Sequence, residues 1–195
     1  MTSIGIDPGH GGGREPGCCY GGLIERDRVE LAAEILHTHL LARGLQPVHT
    51  RRAGENPWHI TRGLRTRGCA CVVSLHINAS RSAAANGLEV YYWPGSSSGL
   101  ALAAEIASRC PPQLKPRGLP GPRVIAAYDG PSTRDDWLRN PRAVLRYHRP
   151  PAVLVEMGYA SHDGDRAYLL TDIGLEAVCM AIAEAAVALG GCLDW

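Results

Sequence analysis

The chain has 195 residues and a formal charge of +1 at pH 7, enough for one domain with a sizeable apolar core. A charge so near neutral gives no global signal for nucleic acid or an anionic membrane. No apolar run approaches the ~18 residues of a membrane span, and no basic-then-apolar leader precedes the first strand. Seven cysteines without a CxxC pair support neither a zinc ribbon nor a thioredoxin-like motif, and fit synthesis in the cytoplasm without a signal peptide.

Strand-like and helix-like segments alternate. Ser3–Ile6 reads as a first strand. Asp27–Arg43 reads as a helix, opened by an Asp27/Glu30 capping pair and striped by Val29, Ala33, Leu36 and Leu40, with Gly44 as its stop. Leu45–Thr50 is a second strand and Trp58–Arg67 a helix. Cys69–Leu75 is a continuous apolar run, expected of a strand buried on both faces. Leu88–Trp93 adds a strand and Gly99–Cys110 a helix. From Pro111 to Pro151 the pattern weakens, because proline removes donors from helix and sheet alike. Ala152–Glu156 is a late apolar strand, and Ile173–Leu189 closes the chain as a helix. The order predicts an α/β fold: a single domain, residues 1–195, with a twisted, mostly parallel sheet between helices on both faces.

In such sheets chemistry collects near the carboxyl ends of the strands. His10 follows the first strand, in IGIDPGHGGG. His76 follows the buried third strand, in SLHINAS. Glu156 ends the late strand PAVLVE, and Glu25 precedes the first helix. Each has an ordinary explanation alone: Glu25 suits the positive end of a helix dipole, and His76 could cap a buried strand. Glu156 is harder to place, since an unpaired carboxylate after four apolar residues is costly. Together they suggest a three-ligand zinc site with one carboxylate to spare. Such a metal keeps a position for water and lowers its pKa to roughly 7. The glycines around His10 would give metal and substrate close access to the backbone.

These segments resemble the zinc-dependent N-acetylmuramoyl-L-alanine amidases of the Amidase_3 type. DPGHGG, GGLIERDRVELAAEI, VVSLHINA and PAVLVEMGY occur in that family's order. Thr50-Arg51 and Val144-Leu145-Arg146 fall in matching places, and the likeness runs from about Ile4 to Leu189. It implies that His10, Glu25 and His76 bind one Zn2+ and that Glu156 is general base, then acid. It implies hydrolysis of the amide between N-acetylmuramic acid and L-alanine in peptidoglycan, with no nucleic-acid partner and no membrane insertion. A phage endolysin, released at lysis to reach the wall, is the first expected setting, and a host wall-remodelling enzyme or a domain of a longer one is the second. Two features depart from the family: GLRTRGCAC before the third strand, and the proline-rich stretch after Cys110, which could be a lid, a peptide-reading loop or a surface excursion.

Asp7 and Asn78 are candidates to orient the ligand loops from behind the histidines. The basic group Arg139, Arg142, Arg146, His148 and Arg149 could attract stem-peptide carboxylates, with Arg146 the best placed. Three rivals remain. One is a zinc peptidase acting on other peptides. Another is a wall-binding module without catalysis. The third is a serine hydrolase using Ser97, in the GSSSG match to G-x-S-x-G, with Asp129, Asp163, His148 and His162 downstream. Nucleotide binding by the opening glycines fails, because Arg14 stands where G-x-G-x-x-G needs glycine and no Gly-Lys-[Ser/Thr] follows.

Overall fold

The computed structural model describes residues 1–13, 15–119, 121–127, 143–148 and 150–190. Six strands form one sheet in the order β4-β1-β5-β8-β6-β7. They are β1 (Ser3–Pro8), β4 (Gln46–His49), β5 (Cys71–Asn78), β6 (Glu89–Tyr92), β7 (Arg123–Ala126) and β8 (Ala152–Tyr159). β4, β1, β5 and β8 are mutually parallel, whereas β6 is antiparallel to β8 and parallel to β7. The mostly parallel α/β sheet is as expected. No helix among the described residues is long and apolar enough to cross a membrane.

Alternation along the strands separates the two faces. Ile4, Ile6, Val73, Leu75, Ile77, Val153, Val155 and Met157 enter the larger core. Helices α1 (Glu25–Ala42), α3 (Ser97–Ser108) and α6 (Asp172–Gly190) cover this face. Their buried stripes include Val29, Leu36 and Leu40, then Leu102 and Ile106, then Val178, Cys179 and Ile182. The second face carries Val72, Tyr91, Ala152 and Leu154, packed with Val144 and Leu145. It lies beneath α2 (His59–Arg65) and α4 (Ala143–Tyr147). Those two helices meet closely: a Cβ at Gly63 would lie 2.3 Å from the Tyr147 carbonyl. Asp7, Ser74, His76 and Glu156 share this second face by the same alternation, so the polar residues gather there.

Several boundaries differ from expectation. β1, β5 and β8 run two or three residues further, so His76 lies inside its strand and not beyond it, and Glu156 lies inside its strand and not at its end. The ladder continues because His76 and Glu156 are themselves a paired position.

The Asp27/Glu30 cap is not made. α1 begins at Glu25, and its first N–H groups donate to the carbonyls of Cys18 and Pro16. A short hairpin follows those acceptors and brings the chain back to them. Strands β2 (Cys19–Tyr20) and β3 (Leu23–Ile24) pair around Gly21 and Gly22, both with positive φ, as a two-residue turn of this kind requires. Asp27 instead accepts from Arg26, and Glu30 from Arg51.

Besides that hairpin and α4, two further elements were unforeseen. β7 arises inside the proline-rich stretch, which is tolerated because it is an edge strand. Helix α5 (Asp163–Leu170) is capped by His162, whose ring accepts from the Asp165 N–H.

Candidate metal centre

Three elements deliver the donor atoms. β1 ends at Pro8, and two residues later His10 turns back with φ 58°, the one non-glycine positive φ among the described residues. Glu25 opens α1, and His76 projects from the second face of β5. Glu25 Oε1 lies 2.9 Å from His10 Nε2 and 3.2 Å from His76 Nδ1. All three donor atoms fall within 4.8 Å of one another, and no other such group of three occurs among the described residues. Two imidazoles and one carboxylate are a donor set that suits zinc. Their nitrogens already face one carboxylate oxygen, as ligands of a common ion would.

Glu25 is buried, yet four groups serve its carboxylate. Besides the two histidines, the Ile77 N–H donates to Oε1 and the Cys18 N–H to Oε2. Burial acts to raise its pKa, but the bonds to His10 and His76 prevail and hold it well below the usual carboxylate range. Glu25 is therefore an anion, as a ligand must be. Cys18 is close by, but burial and the neighbouring Glu25 charge push its thiol far up, and it donates to the Ile77 carbonyl.

The bare loop around His10 is explained by clearance. A Cβ at Gly9 would sit 2.4 Å from His76 Cε1, and one at Gly17 would sit 2.5 Å from Glu25 Oε2 and 2.7 Å from His10 Cδ2. The glycines admit the ligand side chains.

Two buried arginines hold the same loop, and composition gave no hint of their roles. Arg62 donates to the carbonyls of Pro8 (2.8 Å), His10 (2.5 Å) and Pro57 (3.1 Å). Arg51 donates to those of Pro8 (2.9 Å) and Gly9 (3.0 Å). Three successive carbonyls are thus fixed, which sustains the unusual φ of His10. Asp7 anchors Arg62 at 2.9 Å and also accepts from Thr50 (2.5 Å) and Ser74 (2.6 Å). It touches no histidine and reaches the His10 loop through Arg62.

Glu156 is buried and stands opposite His76 in the β5–β8 register, about 4.8 Å away across the strand spacing. The remaining candidates lie elsewhere. Asn78 donates to Glu89 at 3.2 Å and orients neither histidine. The Arg146 guanidinium lies 5.8 Å over Trp93. Trp93 follows Tyr92, which pairs with Val153 at the other end of β8, so Arg146 is held away from the metal group. His148 is buried against Thr66, and burial lowers its pKa, so it carries no charge to attract a carboxylate at neutral pH. Arg139, Arg142 and Arg149, like Asp129, lie outside the described residues.

The serine reading fails on geometry. Ser97 opens α3 and lines a cavity of about 260 Å³ with Cys71, Ala101, Pro151 and Leu189, where no histidine or carboxylate is found among the described residues. Cys71 and Pro151 mark the amino-terminal ends of β5 and β8, opposite the metal group. His162 and His148 are engaged with Asp165 and Thr66.

Comparison with known proteins gives the family and agrees with the fold. The chain is 28% identical over 189 residues to the N-acetylmuramoyl-L-alanine amidase LytC of Bacillus subtilis (strain 168), covering 95% of this chain but 35% of that protein. It thus spans about a third of that relative. The N-acetylmuramoyl-L-alanine amidase AmiC2 of Nostoc punctiforme superposes with a TM-score of 0.79 at 28% identity, covering 97% of each chain. The catalytic domain of CwlV, an N-acetylmuramoyl-L-alanine amidase from Bacillus (Paenibacillus) polymyxa var. colistinus, gives 0.79 at 26% identity, covering 98% of this chain and 99% of that one. The family described as N-acetylmuramoyl-L-alanine amidase matches residues 4–188. That span takes in the sheet and all four residues of the site, and the chain belongs to the N-acetylmuramoyl-L-alanine amidase family.

Proposed function

We propose that this chain is a zinc amidase that cleaves the bond between the lactyl group of N-acetylmuramic acid and the L-alanine of a stem peptide. One observation carries the reading: Glu25 Oε1 meets both His10 and His76, while Glu156 stands in register beside His76. His10, Glu25 and His76 would hold one Zn2+, which when bound supplies a Lewis acid for the scissile carbonyl and lowers the pKa of its water to roughly 7.

The rest is done by the chain. Glu156 takes the proton of the attacking water and passes it to the leaving L-alanine nitrogen, a role typically worth about 10²–10⁴-fold. Its place on a central strand keeps it at a fixed distance from the ligands. Glu25 stays ionised throughout and does not compete for that proton. Arg51, Arg62 and Asp7 hold His10 still, so no reorganisation is needed as the substrate arrives. A zinc peptidase would use the same groups, and family membership favours the muramoyl amide. The place of action is the cell wall, reached on release at lysis as for an endolysin.

The test is hydrolysis of purified peptidoglycan. Free L-alanine amino groups should appear, chelation should abolish them, and added zinc should restore them. Release of other amino termini without L-alanine would favour the peptidase.

A further inference from the structure

The strand registers set up a row that extends past Glu156. His76 of β5 pairs with Glu156 of β8, Glu156 with Glu89 of β6, and Glu89 with Arg123 of β7. Directly paired residues point to the same face, so all four side chains emerge on the face that carries His76 and Glu156. Arg123 is the cation of the row. It stands two strand spacings, about 10 Å, from Glu156.

Its guanidinium is preorganised. Glu89, which is buried, forms an ion pair with one terminal nitrogen of Arg123, and the same nitrogen donates to the Tyr159 hydroxyl at 3.0 Å. Glu89 is fixed in turn by the hydroxyls of Tyr159 (2.7 Å) and Tyr91 (2.6 Å) and by Asn78 (3.2 Å). Tyr159 reaches this group because Met157 and Gly158 together oppose Ile77 alone, a bulge that returns β8 to the site face. The guanidinium therefore leans toward β8. Its side chain is nonetheless 40% exposed, although Nε itself is buried without a partner among the described residues. Glu89 and Tyr159 hold one terminal nitrogen, and the other has no partner among the described residues and is left for a ligand.

The geometry points to Arg123 as the subsite for the carboxylate at the second residue of the stem peptide; this rests on the amidase reading above. An extended residue spans about 3.3–3.6 Å. A carboxylate on the Cα after L-alanine thus lies some 6–7 Å beyond the scissile nitrogen, about the reach from Glu156 toward a guanidinium leaning from β7. D-Glutamate linked onward through its γ-carboxyl leaves that α-carboxylate free. Amidation to D-isoglutamine removes the charge. Arg123 should distinguish the two forms, and it takes the role that the sequence suggested for Arg146.

The experiment compares two substrates: un-cross-linked glycan strands bearing D-glutamate, and the same strands bearing D-isoglutamine, at the second stem position. Wild type should cleave the D-glutamate form with a KM about tenfold lower, the scale of one charge-assisted contact. Arg123→Met should lose that preference by raising KM for the D-glutamate form alone, while kcat changes little. Arg123→Lys should keep part of it. Because Arg123→Met strands the Glu89 charge, the double variant Arg123→Met/Glu89→Gln is measured beside it, with zinc content and circular dichroism as controls of folding. Equal discrimination in wild type and the folded variants, or none in wild type, overturns the subsite. Failure of wild type to free the L-alanine amino group of the stem peptide in either form would instead overturn the amidase reading.

Discussion

His76 and Glu156 stand directly opposite each other in the parallel pairing of β5 and β8. One is a proposed metal ligand and the other the proposed proton carrier, and the sheet separates the two roles. Glu156→Ala should therefore keep one zinc per chain and lose activity by about 10³-fold or more, since general acid–base catalysis supplies roughly that factor. His76→Ala should lose both zinc and activity. Metal analysis beside turnover checks this pair. If Glu156→Ala lost zinc as well, Glu156 would have to be counted among the ligands.

The glycines make a steric prediction. Gly9→Ala would place a methyl group 2.4 Å from the His76 imidazole, and Gly17→Ala one 2.5 Å from Glu25 Oε2 and in a positive-φ position. Neither neighbour can retreat, because both are buried. Both variants should fold and bind zinc at least about tenfold more weakly, as displacement of ligand-supporting groups generally costs. Gly13→Ala is the comparison: its φ is also positive, but nothing lies within 4 Å of the added carbon, so zinc affinity should hold. Competition against a chromophoric chelator measures all three.

Much of this site was legible in the chain because its chemistry sits in short segments. His10, Glu25, His76 and Glu156 each flank an apolar run, and strand and helix patterns alone bring them to one side of a sheet. What held them in place was less legible. Arg51 and Arg62 act on backbone carbonyls of Pro8, Gly9 and His10, and carbonyls carry no signature in a sequence. Arg123 acts through register across three strand pairs, which no local pattern specifies. Arg146 shows the same gap: it is near the Glu156 strand in sequence, yet its guanidinium lies over Trp93, toward the other end of that strand. The hairpin before α1 could have been read from Gly21-Gly22 between Tyr20 and Leu23, a strong turn signal.

Chelator and serine chemistry should part cleanly. Ser97→Ala removes a hydroxyl from a cavity edge remote from the metal group, so activity should be unchanged. A serine-directed phosphonate should likewise have no effect, whereas a zinc chelator should abolish turnover. Inactivation by the phosphonate, with Ser97 labelled, would restore the serine reading.

Asp7 predicts how stability depends on pH. Burial raises its pKa, but Arg62, with hydrogen bonds from Ser74 and Thr50, overcomes this and lowers it from 3.8 to about 2. A depressed folded value means that the charged form favours folding. The contribution is present above about pH 4 and is lost as the pH falls toward 2, on the order of 2 kcal/mol. Asp7→Asn should cost roughly 3–5 kcal/mol at pH 7, because it leaves the buried Arg62 without its counter-charge. The gap from wild type should narrow as wild type is acidified. Urea unfolding at pH 7 and pH 3, with chelator present so that metal release does not contribute, tests the sign.

Arg62 offers the sharpest check on the loop. Its planar fork spans the carbonyls of Pro8, His10 and Pro57 and the Asp7 carboxylate at once. A lysine keeps the charge that Asp7 needs but cannot serve four acceptors spread around a plane. Arg62→Lys should therefore stay folded and free the His10 carbonyl. Zinc affinity should fall by about 10–100-fold, the usual cost of losing a group that orients a ligand. At saturating zinc, much of the activity should return, because Glu156 and His76 on the central strands are undisturbed. If Arg62→Lys bound zinc like wild type, the loop would be held by Arg51 alone. If added zinc failed to restore turnover, Arg62 would act on more than the position of His10.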